Sequence, residues 1–256
     1  MPEIDRDIPI ERHDEVDSTS RLARRKIQAG AIGEGPILLI ADRQTGGVGR
    51  FGRAWASPAG GLWCTLVWPV RRDLPRVLDG LGLRLAWASA RVIDHALGAP
   101  GRDSRVQIKW PNDVLLNGKK VLGVLTETLR HEGRPFLLVG VGVNADFAVS
   151  ALPPALRDRA TTLRDVLGRA PDRRRLIDDV RAGMGAAILG QSADEATLRE
   201  IRDRLFGVGE STTVTLSRGD TKTGALVGLD ALGAPILRTR NGVWTAPPGA
   251  ELLHDW

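Results

Sequence analysis

Among its 256 residues the chain has one cysteine, two methionines, no tyrosine and only 4% aromatic residues. The single cysteine, Cys64, cannot form an intramolecular disulfide, so a reducing, cytoplasmic compartment is expected. No apolar run approaches the ~18–20 residues needed to span a bilayer. The longest, Gly35–Ala41 and Pro135–Val143, are strand-sized. The opening MPEIDRDIPI carries acids where a secretory signal has a basic flank and an apolar segment. His13, His95, His131 and His254 are scattered without metal-ligand spacing, so no structural metal is expected. What is present is ordinary: 42% hydrophobic and 26% charged residues. That balance excludes a disordered, collagen-like or coiled-coil chain. It leaves enough apolar side chain for one sizeable core and a small second one.

The missing tyrosines also account for a sequence pI near 10.1 on a net charge of only +5. With one thiol and no phenol, almost nothing titrates between histidine and lysine, so a small surplus drives the pI far up. The surplus is uneven. Residues 43–53 hold three arginines and no acid, whereas residues 210–256 are net −1. The surplus is therefore small and concentrated in one loop, which weakens the case for a nucleic-acid partner, and no membrane partner is expected.

Residues 9–17 read as a short strand running into Asp17-Ser18-Thr19-Ser20, a set of helix-capping residues, and a helix that stops at Gly30. GPILLIA (35–41) and LWCTLVWP (62–69) read as strands around a glycine-rich loop over 43–61. Pro75–Leu97 has helical spacing of apolar residues. Residues 106–129 read as strand, proline turn, strand, Asn117-Gly118 hairpin and strand, and PFLLVGVGVNA (135–145) as a further strand. Residues 153–206 are helical. From Gly207 the chain breaks into short β segments of a small barrel. The expected division is therefore 1–206 and 207–256.

Three stretches carry chemistry. In Gln44-Thr45-Gly46-Gly47-Val48-Gly49-Arg50-Phe51-Gly52-Arg53-Ala54-Trp55 the glycines let backbone N–H groups approach a ligand. Arg50 and Arg53 supply forked donors for carboxylate or phosphate, and Trp55 a flat face. On composition alone this stretch reads equally well as a surface loop or an RNA-contacting Arg-Gly patch. In Lys109-Trp110-Pro111-Asn112-Asp113, proline forces an extended Trp110 and presents Asn112 and Asp113 at a strand end. A carboxylate there suits Mg²⁺ binding or proton acceptance from an amine. Gly140-Val141-Gly142-Val143-Asn144 ends a strand in glycines.

The loop resembles the pattern Q-T-x-G-R-G-R-x-G-R-x-W of the biotin protein ligase family at Gln44, Thr45, Gly47, Gly49, Arg50, Gly52, Arg53 and Trp55. It departs at Val48, where the family usually has arginine, which removes one cation. Asp17-Ser18-Thr19-Ser20 is similar to D-S-T-N, with Ser20 in place of asparagine; alone it would read as a plain N-cap. Lys-Trp-Pro-Asn-Asp is complete, and Gly140–Asn144 resembles G-x-G-x-N. The resemblance implies an α+β fold, a class II aminoacyl-tRNA-synthetase-like mixed sheet with flanking helices plus a small C-terminal SH3-like barrel. It implies an ATP- and Mg²⁺-dependent ligase that forms biotinyl-5′-AMP and passes biotin to a lysine of a biotin carboxyl carrier domain. Ser18, Thr19, Gln44, Gly47, Gly49, Arg50 and Lys120 would bind biotin. Arg53, Trp55, Asn112 and Asn144 would bind the nucleotide. Lys120, Arg50 and Asp113 would be catalytic, with Asp113 also meeting Mg²⁺. Lys119 adjoins Lys120, but the spacing from Asp113 and to Gly123 favours Lys120. The alternative is a lipoate or octanoate ligase or transferase of the same fold, although Cys64 has no partner motif for octanoyl transfer. Only about a dozen residues precede the first motif, too few for a three-helix DNA-binding module. The expectation is therefore a monofunctional ligase, monomer or homodimer, that is not itself a repressor.

Overall fold

A computed structural model describes residues 8–71, 73–98, 105–190, 195–216, 220–230 and 232–247, and the backbone of 251–253. Residues 1–7 of the acidic N-terminus and His254 lie outside the described residues.

The chain opens with β1 (Ile10–Val16), α1 (Thr19–Gln28), β2 (Ile37–Gln44) and β3 (Leu62–Pro69). The helices α2 (Leu74–Leu78) and α3 (Leu81–Leu97) follow. Next come β4 (Val106–Lys109), β5 (Asp113–Leu116), β6 (Lys119–His131) and β7 (Arg134–Val143). The short helices α4 (Pro154–Arg157) and α5 (Leu163–Leu167) then lead to α6 (Arg173–Leu189) and α7 (Glu195–Asp203). The first seven strands form one mixed sheet in the order β1-β2-β3-β7-β6-β5-β4. Only β1 and β2 are parallel, since short hairpins such as Asn117-Gly118, with φ of 53° and 77°, join antiparallel neighbours. No helix among the described residues is long and apolar enough to cross a membrane.

Strand alternation explains both layers. On β3 and β7, Leu62, Cys64, Leu66, Leu137, Val139, Val141 and Val143 join the main core, which includes α3 and α6. Their neighbours Val67, Phe136 and Leu138 meet Ala23 and Ile27 of α1 on the other face. Burying Ile27 there contributes about 2 kcal/mol. Further along that second face the side chains become Thr65, Gly140 and Gly142. The helix starts there, and the sheet beyond it is left open.

The single helix expected over Pro75–Leu97 is two. Gly80 takes φ 62°, a left-handed position that stops α2, and α3 restarts at Leu81. The junction is fastened by buried Arg84, which donates to the carbonyls of Val77 (3.0 Å), Asp79 (2.6 Å) and Ala187 (2.7 Å). Burial pulls its pKa below the ordinary value.

After α7, residues 204–206 run beside β4, with Ile108 N–H donating to Arg204 O at 2.8 Å and Phe206 N–H to Ile108 O at 2.9 Å. A second sheet follows: β8 (Ser211–Thr215), β9 (Thr221–Leu229), β10 (Pro235–Thr239), β11 (Gly242–Thr245) and β12 (Glu251–Leu253). Its order is β11-β10-β9-β8-β12, and β12 is a strand that the sequence pattern does not announce. Trp110 Nε1 donates to Gly233 O at 2.7 Å, tying this sheet to the large one. A methyl at Gly233 would stand 2.9 Å from Leu83, so the approach is close.

Arg84→Met should leave three carbonyls without their donor and lower stability by about 3 kcal/mol, read from urea unfolding.

Candidate active site

The open part of the sheet is the floor of a cleft of about 420 Å³. Of the residues expected at the site, only Gly47 fails to line it.

One wall is a chain of hydroxyl and amide groups. Ser18 is the first residue before α1, yet its side chain makes no capping hydrogen bond. Thr19 donates to Gln44 Oε1 from its N–H (2.8 Å) and its hydroxyl (3.2 Å). Gln44 Nε2 donates to Ser57 Oγ (2.8 Å), which donates to Trp55 O (3.1 Å). Behind Thr19, Thr65 Oγ1 donates to Thr19 Oγ1 (2.8 Å) and lies 3.2 Å from Ser20 Oγ. Sequence reading missed Ser20, Ser57 and Thr65. The available signal was Thr65, the lone hydroxyl in the otherwise apolar LWCTLVWP. Asp17 anchors the helix start from outside the cleft. It accepts two hydrogen bonds from Arg25, both 2.8 Å, and one from the Ser18 N–H. The Arg25 bonds hold its carboxyl down to about 2.

The basic loop is more ordered than glycine content suggests. Trp55 N–H donates to Gly47 O (2.9 Å) and Gly49 N–H to Arg53 O (2.7 Å), with Val48 and Ala54 bridged between them. The tip is a single 3-10 turn, Arg50–Gly52, in which exposed Phe51 takes φ 56°. The guanidiniums of Arg50 and Arg53 stand 5.1 and 5.8 Å from the Phe51 ring. Gly47 is required by packing: a methyl there would lie 2.5 Å from Trp55 O and 2.6 Å from Ser57 Oγ. At Gly49 the nearest atom would be 3.5 Å away, an ordinary contact.

The floor is made by glycine. Gly123 of β6 pairs with Gly142 of β7, and the Trp55 ring lies over both, where methyls would come within 3.0 and 2.6 Å of it. Its Nε1 is buried with no hydrogen-bond partner among the described residues. Lys120 Nζ sits 4.7 Å from the ring centroid and 2.7 Å from Asp113 Oδ2. Asp113 Oδ1 is buried and has no hydrogen-bond partner among the described residues. The Trp110-Pro111 peptide is cis, and Asn112 Nδ2 donates to Val124 O at 2.5 Å. Asn144 is buried, and its Nδ2 donates to Lys120 O (3.3 Å) and Thr161 O (3.1 Å). Cys64 is core as expected: burial pushes its thiol up to about 12. The cleft walls carry Arg50, Arg53, Lys109, Lys120 and Arg159, against the single lining carboxylate of Asp113. Such a cleft can hold two anionic groups together beside a polar recess.

A family profile described as the biotin/lipoate A/B protein ligase family matches residues 14–144. The chain is 32% identical over 235 residues to the bifunctional ligase/repressor BirA of Bacillus subtilis, covering 90% of this chain and 70% of that protein. It is 31% identical over 199 residues to the biotin–[acetyl-CoA-carboxylase] ligase of Mycobacterium tuberculosis, covering 77% and 71%. Among solved structures, the Aquifex aeolicus biotin protein ligase in complex with biotin and ATP superposes with a TM-score of 0.78 at 28% identity. That match covers 96% of this chain and 99% of the other.

Gly47→Ala should open the loop and speed tryptic cleavage after Arg50 and Arg53, whereas Gly49→Ala should be cleaved at the parental rate. The Asp17–Arg25 pair sets a pH dependence. Because the folded carboxyl titrates below its ordinary value of 3.8, its stabilisation is complete above that value and is lost as pH falls through about 2. The destabilisation caused by Asp17→Asn should therefore be constant at neutral pH and shrink across this acid window, in thermal melts.

Proposed function

The chain belongs to the biotin/lipoate A/B protein ligase family, and from that premise we propose that it activates biotin with ATP as biotinyl-5′-AMP and transfers it to a lysine of a biotin carboxyl carrier domain. The observation that carries this reading is the joining of two unlike surfaces in one cleft. The hydroxyl–amide wall through Thr19 and Gln44 matches the donors and acceptors of a ureido ring. The cationic wall matches a carboxylate beside phosphates. A lipoate dithiolane has no N–H or C=O to meet that wall, so it would displace water there without replacing its hydrogen bonds.

In the first step a biotin carboxylate oxygen bonds to the α-phosphorus and the bond to the β-phosphate oxygen breaks, releasing pyrophosphate. Lys120 and Arg50 offset the repulsion between the two anions. Asp113 orients the Lys120 ammonium through Oδ2. Asp113 Oδ1 is orphaned and buried, and fits a Mg²⁺ arriving on ATP, whose role is to neutralise phosphate charge. In the second step the carrier amine attacks the biotinyl carbonyl, AMP leaves, and Asp113 is placed to take the amine proton. Trp55 on its glycine floor bounds the site from below, and the loop carrying Arg50 and Arg53 shields the labile anhydride from water. We assign these steps to residues 1–206 and treat 207–256 as a separate SH3-like module, tied to the site through Trp110.

The direct test incubates the protein with ATP, Mg²⁺, biotin and a carboxylase carrier domain and probes for streptavidin-reactive carrier. ATP-dependent labelling confined to the carrier lysine is expected, with lipoate giving none. Absence of that labelling, or transfer of lipoate in its place, refutes the reading. Arg50→Gly should release the adenylate and spread biotin to bystander lysines, measured by mass spectrometry of a mixed-protein reaction.

A further inference from the structure

Resting on the ligase reading above, we propose that Arg159 binds the β- and γ-phosphates of ATP and the departing pyrophosphate, as a residue of the adenylating step that no sequence motif of the site marks. Arg159 follows α4, far along the chain from the loop and from the Asp113–Lys120 pair, yet this exposed residue lines the same cleft. Its backbone is unusually well placed. Lys120 N–H donates to Arg159 O at 2.9 Å, and Thr161 N–H donates to Lys120 O at 3.0 Å. Residues 159–161 therefore run as a short parallel bridge against the first residues of β6, paired at Lys120 and Ala160.

That bridge is braced at its C-terminal end. Asn144 Nδ2 donates to Thr161 O, and Thr162 Oγ1 accepts from Asp165 N–H to cap α5. Ala160 packs on the small cluster of Trp63, Phe147 and Leu152. The backbone that carries this cation is thereby held next to Lys120.

Charge and chemistry agree with this placement. Adenylation moves negative charge onto the oxygen that leaves with pyrophosphate, and a forked guanidinium can take two phosphate oxygens at once. Lys120 is already engaged by Asp113 and lies over the Trp55 ring. Val48 stands where the family pattern has an arginine, so the loop itself brings only Arg50 and Arg53 into the cleft. Arg159 supplies a further cation there from a different segment.

The test separates the two half-reactions in the full-length protein. ATP–pyrophosphate exchange in the presence of biotin reads adenylation. Presynthesised biotinyl-5′-AMP with carrier domain reads transfer alone. Arg159→Ala should raise the KM for ATP about ten-fold or more, the loss expected for one charge-assisted hydrogen bond. The KM for biotin and the rate of transfer should be unchanged, and Arg159→Lys, which keeps the charge without the fork, should recover part of the loss. An unchanged KM for ATP overturns the assignment. So does an equal loss in both half-reactions, or a lysine variant no better than alanine, since either reports a structural role for the 159–161 backbone. Failure of the ligase reading itself looks different: the parental protein then shows no biotin-dependent exchange.

Discussion

The cleft depends on a gap in a sheet. Gly123 and Gly142 face one another across β6 and β7 and offer bare backbone where every neighbouring pair offers a side chain. The indole of Trp55 fills that gap, and its loop, Lys120 and Asp113 are arranged around it. Close approach of a ring to a backbone requires the absence of Cβ atoms, so these two glycines serve contact rather than turning. With side chains there, the tryptophan would be lifted from the sheet, and the loop that holds it by the Trp55–Gly47 hydrogen bond would move as well.

The polar wall follows from the same sheet face. Where α1 covers it, the side chains are Val67, Phe136 and Leu138; where α1 begins, they become Thr65 and Gly140. A methyl on Gly140 would come within 3.1 Å of Ser20 Oγ. The buried hydroxyls of Ser20, Thr65 and Thr19 thus form a chain ending on Gln44, a connected polar network inside an otherwise apolar layer. Such a network is affordable only when its members satisfy one another, and then it fixes the orientation of each.

Much of the site was legible in the sequence because its residues sit in contiguous motifs whose spacing is local. Asp17–Ser20, Gln44–Trp55 and Lys109–Asp113 each lie within a turn or a strand end, and the structure gathers them around one cleft. The strands were also legible, since alternation and the Asn117-Gly118 turn are short-range signals. Other features were not. The break at Gly80 depends on Arg84 reaching back to Val77 and Asp79 and across to Ala187, a contact 103 residues distant. The role of Thr65 depends on α1 beginning above it. Arg159 has an ordinary helix-end sequence around it and is held at the cleft by long-range bonds, among them that from the Lys120 N–H to its carbonyl.

The sequence by itself determined the class of chemistry: cations and glycines in one loop, a carboxylate and a lysine in one hairpin, hydroxyls at one helix start. These depend on residue type and on neighbours a few positions away, which a linear reading contains. Only the tertiary structure decided which groups are paired, which are buried and which are left without partners. Asp113 divides its two oxygens between Lys120 and none, and Asn144 braces two carbonyls from separate segments. Those distinctions arise from strand register and from which segments pack together. They are set by the burial of the whole core, and no local pattern encodes them.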